Sequence, residues 1–109
     1  MPTFEQYQEF DIRVGTVLTA RPHPTARKPS IQLEIDFGPA GIKRSSAQLT
    51  TLYRPEELIG RQVVAVLNFP PRKVADFVSE VLVLGAMLPD GVVVLLQPDR
   101  PVANGLTIA

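Results

Sequence analysis

Phe10-Asp11-Ile12-Arg13-Val14-Gly15-Thr16-Val17-Leu18 sets the class of fold. Phe10, Ile12 and Val14 fall on one side of a two-residue period and Asp11 and Arg13 on the other, the pattern of a half-buried strand. Gly15 breaks the phase before Val17 and Leu18 carry it on. A glycine inside a strand pattern marks a bulge or sharp bend, and small barrels need such bends to close.

On the N-terminal side, Thr3 followed by Gln6 is a capping-box pattern, with Phe4, Tyr7 and Phe10 spaced at three. A short amphipathic helix is expected over residues 1–9. Too short to be stable alone, it must pack its aromatics on the body of the domain or on a second subunit. On the C-terminal side, three prolines make Arg21 to Pro29 a stiff loop. Ser30 to Phe37 then alternates: Ile31, Leu33, Ile35 and Phe37 face a core, and Gln32, Glu34 and Asp36 face water. After the turn Gly38-Pro39-Ala40-Gly41, Ile42 to Leu49 carries polar groups on both faces. Such a strand is either a ligand surface or an edge strand kept soluble by charge.

Arg54 to Gly60 has helix punctuation: Pro55 at the first position, Glu56 and Glu57 in the first turn and Gly60 as the stop. Val63 to Leu67, Val81 to Leu88 and Val92 to Leu96 are apolar strands. Asn68 to Lys73 is a rigid basic loop, and residues 97–109 form a C-terminal extension with turn chemistry. Short strands, glycine bends and only two short helices make the chain all-β. Five main strands with a helix between the third and fourth is the order of an OB-type barrel. Strands apolar on both faces imply a covered exterior, which a homodimer supplies economically.

At 109 residues the chain fits one domain, spanning 1–109. Zero cysteines exclude a disulfide scaffold and a thiolate nucleophile or metal site, and the single His23 excludes a multi-histidine metal site within one chain. No metal or cofactor is implied. The apolar run Val81 to Leu88 is too short to span a membrane, and no signal peptide is visible, so a cytoplasmic protein is expected. Eleven cationic and 11 acidic side chains give zero net charge, which argues against indiscriminate DNA coating but leaves room for a local basic patch.

An enzyme finds little here: there is no nucleophile elbow and no phosphate-binding glycine loop. Asp11, Glu34, Asp36 and Glu80 read as exposed strand carboxylates. His23 reads as a loop residue held by its neighbours, or as one that touches a phosphate. The basic pairs Arg27-Lys28, Lys43-Arg44 and Arg72-Lys73 say more. In a five-stranded OB barrel the loop after strand one, the third strand and the loop after strand four can converge on the oligonucleotide-binding side. Arginine offers bidentate contacts to phosphate and lysine a point charge. Ser45, Ser46 and Asn68 add groups suited to sugars and bases.

Asp11-Ile12-Arg13-Val14-Gly15 resembles the opening of the tRNA-binding OB domains, which occur appended to aminoacyl-tRNA synthetases and as free-standing dimers. The resemblance continues through His23-Pro24, Gly60-Arg61-Gln62-Val63-Val64, Asn68-Phe69-Pro70-Pro71-Arg72-Lys73 and Ser79-Glu80. Ala26-Arg27-Lys28-Pro29, Asp36-Phe37-Gly38-Pro39, Lys43-Arg44-Ser45-Ser46-Ala47-Gln48, Gln97-Pro98-Asp99-Arg100 and Asn104-Gly105 look like the CsaA-type export chaperones of that family. Val81-Leu82 stand where the tRNA-binding domains usually have Gly-Met.

The resemblance implies a homodimer with the N-terminal helix, through Phe4 and Tyr7, and the C-terminal extension in the contact. It implies a non-enzymatic binding protein for unfolded or precursor polypeptides, handed on to the export translocase motor, with tRNA as a second ligand. The alternative it leaves is a structure-specific tRNA-binding protein with no chaperone role. For RNA the expected residues are Arg27, Lys28, Lys43, Arg44, Ser45, Ser46, Asn68, Arg72, Lys73 and Ser79. For polypeptide they are Phe69, Pro70, Pro71 and Phe77, the last being equally at home in a core.

Overall fold

The computed structural model describes the whole sequence, Met1–Ala109. Its elements are α1 (Phe4–Gln8), β1 (Ile12–Pro22), β2 (Ile31–Asp36), β3 (Ile42–Ala47), α2 (Pro55–Leu58), β4 (Gln62–Val66), β5 (Arg72–Val74), β6 (Phe77–Ser79), β7 (Leu82–Val83), β8 (Gly85–Met87) and β9 (Val93–Leu95). Five strands form one antiparallel sheet in the order β3-β2-β1-β4-β7. The sheet curls until its two edges meet. The N–H groups of Glu80 and Val81 donate to Arg44 O at 2.8 and 3.4 Å, and the Ser45 hydroxyl donates to Val81 O at 3.0 Å. Two side chains complete the seam: Glu80 Oε1 accepts from Arg44 N, and Ser79 Oγ accepts from Ser46 N, both at 3.0 Å. The result is a nearly closed OB-type barrel.

Alternation in β2 drives the core. Ile31, Leu33, Ile35 and the following Phe37 are all at most 1% exposed, and Val17, Val63 and Leu58 join them. Each such side chain contributes roughly 1.5–3 kcal/mol. Leu58 comes from α2, where Pro55 opens the helix and Glu57 Oε1 accepts from Arg54 N. Gly60, at φ +86°, turns the chain so that its N–H reaches Val17 O at 2.8 Å. At the N-terminus Thr3 and Gln6 form the anticipated capping box around α1.

Four local expectations are corrected. Gly15 is no bulge: it pairs in register with Val63, and the register shift falls between Val17 and Thr19. Its missing side chain makes room instead, since a Cβ there would lie 2.7 Å from Ile35 Cγ2 and from the Phe37 ring. The stiff loop after β1 starts later than anticipated, because Arg21 and Pro22 still pair with Gln32 and Ile31. Arg72 and Lys73 do not lie in an irregular loop but open a β5–β6 hairpin, with Val74 opposite Phe77. The apolar run Val81 to Leu88 is not one strand: β7 pairs with β4, and beyond Leu84 the chain changes partner so that β8 pairs with β9.

β4 is buried along Val63–Val66, on both faces. One face belongs to the barrel core. The chain's own C-terminal segment pairs with the edge of β1 that β2 leaves open: Gly105 N donates to Val14 O, Leu106 O accepts from Val14 N, and Ile108 N donates to Ile12 O. Since Val63–Val66 are all buried within the single chain, a doubly apolar β4 needs no second subunit. No helix is long and apolar enough to cross a membrane.

Candidate nucleic-acid and polypeptide interface

The loop after β1 and the β5–β6 hairpin lie side by side. Arg27 and Lys28 from the loop, and Arg72 and Lys73 from the hairpin, line one open groove of about 380 Å³. Two contacts hold the walls together. The Thr25 hydroxyl donates to Asp76 Oδ1 at 2.6 Å, and the His23 ring lies 5.4 Å from the Phe77 ring. The Thr25 hydrogen bond, then a hydrogen bond to its own backbone, hold the Asp76 carboxyl below its ordinary pKa, and nearby His23 adds to the shift.

Lys43 and Arg44 do not line that groove. Arg44 reaches the hairpin from the opposite wall, with its guanidinium carbon 4.8 Å from the Phe77 ring centroid. All six cations share one property: none has a carboxylate within 4.0 Å, since the ion pairs of the molecule are Arg13–Asp11, His23–Asp76, Arg54–Glu57 and Arg100–Asp99. In a chain of zero net charge, a local field of uncompensated cations remains for an anion.

Arg72 also borders two more apolar hollows. One, of about 160 Å³, lies between Phe69, Pro70, Val81 and Leu82. The other, of about 260 Å³, is walled by Val74, Val83, Met87 and Val93 and reaches Ser45, Ser46 and Gln48. Phe69, Pro70 and Pro71 are exposed, and Phe69 meets Phe10 edge-on at 5.8 Å. Phe77 is buried, 8% exposed, under Arg44 and beside His23, so its main work is packing.

The small polar residues anticipated for ligand are largely engaged by the fold. Ser45 and Ser79 are buried in the barrel seam. Ser46 Oγ lies 2.9 Å from His23 Nδ1. Asn68 clamps the chain where α1 leads into β1: its Oδ1 accepts from Asp11 N and its Nδ2 donates to Glu9 O. His23 is a buried loop residue held by its neighbours Ser46 and Phe77. Its Nε2 lacks a hydrogen-bond partner and sits 3.8 Å from Asp76. The four strand carboxylates are each occupied locally, Asp11 by Arg13, Glu34 by Thr19, Asp36 by Gly38 N and Glu80 by Arg44 N.

At the N-terminus Phe4 is 67% exposed, and the Tyr7 hydroxyl donates to Ala109 O at 2.7 Å, tying α1 to the C-terminal segment. Leu82, Met87, Leu88, Val94 and Leu96 are exposed along β7–β9 and just beyond them. Beyond the anticipated set, Thr19, Arg21, Gln32 and Glu34 line a further hollow with Arg44 and Phe77. Alternation marks Gln32 and Glu34 only as facing water, Arg21 falls in the stretch expected as a stiff loop, and nothing in the sequence singles out Thr19.

Residues 12–107 match the family described as "Putative tRNA binding domain". The solved structure of chaperone CsaA from Bacillus anthracis str. Ames superposes with a TM-score of 0.95 at 55% identity, covering 100% of this chain and 99% of that one. The CsaA chaperone protein of Picrophilus torridus superposes at 0.92 with 46% identity, covering 100% of both. A methionine--tRNA ligase of Bacteroides fragilis is 38% identical over 94% of this chain, which spans only 15% of that ligase. The chain belongs to the tRNA-binding domain family, in its CsaA-type branch.

Proposed function

We propose that this protein binds unfolded or precursor polypeptides as a CsaA-like chaperone, with tRNA-type nucleic acid as a second ligand of the same region. The observation that carries this is the meeting at Arg72 of a four-cation groove and two apolar hollows. Exposed segments of unfolded chains are apolar and often carry acidic residues, so they suit apolar seats with positive rims. RNA needs the cations above all, with aromatic stacking as a supplement. The names of the CsaA structures support the polypeptide ligand, and the family description supports tRNA. The protein acts by binding and not by catalysis.

In this reading Arg27, Lys28, Arg72 and Lys73 hold phosphate, with Lys43 and Arg44 as a second anchor. Phe69, Pro70 and Pro71 seat apolar side chains. The protein works in the cytoplasm as a homodimer through α1, the C-terminal extension and the exposed apolar strip of β7–β9, and delivers clients to the export translocase motor.

The test replaces Arg72 and Lys73 together by Ala. Affinity for bulk tRNA should fall, and the slope of log K against log salt should flatten by roughly 0.7–0.9 for each phosphate no longer neutralised. Suppression of aggregation of a chemically unfolded model protein should weaken as well. Unchanged tRNA affinity and slope remove the RNA half of the proposal; unchanged aggregation suppression removes the polypeptide half.

A further inference from the structure

We propose that the outer face of β1, β2 and β3 holds a seat for an unstacked guanine of single-stranded RNA, read by Glu34. This rests on the RNA reading of the neighbouring basic groove. Thr19, Arg21, Gln32, Glu34, Arg44 and Phe77 meet around a hollow of about 130 Å³. Register brings them together: Thr19 stands opposite Glu34, Arg21 opposite Gln32, and Glu34 opposite Arg44. Directly paired residues share a face, so this set points away from the core side chains Leu33 and Ile35.

Glu34 is the unusual member. It lies among two arginines and pairs with neither within 4.0 Å. Its Oε1 accepts instead from the Thr19 hydroxyl, at 2.7 Å. A neutral donor fixes the carboxylate's orientation and leaves its charge uncompensated. Such a group repels a phosphate and attracts a base edge that carries N–H donors. Guanine's Watson–Crick edge offers two adjacent donors, N1–H and the N2 amino group, which match the two oxygens of one carboxylate. Adenine and cytosine set a single amino group beside an acceptor nitrogen, and uracil sets one N–H between two carbonyl oxygens. Guanine is therefore the base the carboxylate selects.

Arg44 supplies a platform. One face of its guanidinium lies over Phe77, 4.8 Å from the ring centroid, and the side chain is otherwise exposed. Arginine planes take splayed bases in single-stranded RNA recognition. Arg21, exposed at the end of β1, suits the flanking phosphate. The Gln32 amide can donate to the guanine O6.

The test uses three labelled hairpin RNAs that differ at one loop position: guanosine, inosine or adenosine. Inosine lacks only the N2 amino group. The folded wild-type protein should bind the guanosine RNA about tenfold more tightly than either of the others, the size expected for one bidentate base contact. Glu34→Gln should bind all three about equally, and Thr19→Val, which frees the carboxylate, should reduce the preference. Equal wild-type affinity for the three RNAs overturns the seat and leaves the basic groove's RNA role standing. Full guanosine preference in Glu34→Gln overturns the role of that carboxylate. No binding of any of the RNAs at low salt removes the RNA reading itself, and the seat with it.

Discussion

The guanidinium carbon of Arg44 lies 4.8 Å from the ring centroid of Phe77, and the buried ring of His23 lies 5.4 Å from the same centroid. Through Phe77 the β5–β6 hairpin is tied both to β3 and to the end of β1. The position of Arg72 and Lys73 thus depends on one aromatic side chain packed behind them. Phe77→Ala should destabilise the protein by about 3 kcal/mol, the low end for a buried phenylalanine, because the hairpin can settle into part of the space. Urea unfolding measures it. A loss under about 1 kcal/mol, below the range for emptying a core site, would mean that Phe77 is a surface residue in solution.

Val74 pairs with Phe77, so Ala75 and Asp76 make the tip of the hairpin. Ala75 has φ +56°, the left-handed region that a Cβ disfavours by about 1–2 kcal/mol. Glycine relieves that cost and adds back some flexibility of the unfolded chain. Ala75→Gly should therefore stabilise the protein by about 0.5–1 kcal/mol in the same urea experiment, the difference between those two effects. Destabilisation would contradict the backbone geometry of the tip.

The Thr25–Asp76 hydrogen bond joins the two walls of the basic groove. Asp76 has its pKa lowered in the folded state. A carboxylate of that kind contributes stability above its unfolded-state pKa and loses it as pH falls through the folded value. The tether is thus in place at neutral pH and released only in acid, below the ordinary carboxylate range. An NMR titration of the Asp76 carboxyl should show this, and Thr25→Ala should move the pKa up. An unchanged titration in the variant would show that the hydroxyl is not the cause.

Leu82, Met87 and Leu88 stand exposed on β7, β8 and the turn after it, while Phe4 stands exposed on α1. Sedimentation at micromolar concentration should give a species of twice the 11.9 kDa chain mass. Met87→Asp with Phe4→Asp should shift it to the monomer. A wild-type monomer under those conditions contradicts the proposed dimer.

Much of the barrel was legible because burial imposes a period: Ile31, Leu33, Ile35 and Phe37 alternate with polar residues and are all core. Helix α2 was legible from Pro55 and Gly60 for a related reason, that backbone constraints select residue types. The β5–β6 hairpin was hidden because its tip, Ala75-Asp76, has none of the glycine or asparagine that left-handed turn positions favour. The break between β7 and β8 was hidden because both halves are apolar, and only the change of pairing partner at Leu84 separates them. In the site, the cations were legible as residue types, but their grouping depends on topology, which joins Arg27 to Arg72 and sets Arg44 apart. Ser45, Ser79 and Asn68 illustrate a further limit. A serine or asparagine that satisfies a barrel seam or a chain junction has the same sequence signature as one that contacts a sugar.

The most direct test of the binding region around Arg72 is a competition measurement. A labelled, permanently unfolded polypeptide is bound to the protein and its fluorescence anisotropy is followed as tRNA is added. The grooves share Arg72, so tRNA should displace the polypeptide, and Arg72→Ala should weaken both ligands. Failure to bind either ligand, or tRNA binding to the loaded protein with no displacement and no effect of Arg72→Ala, would contradict it.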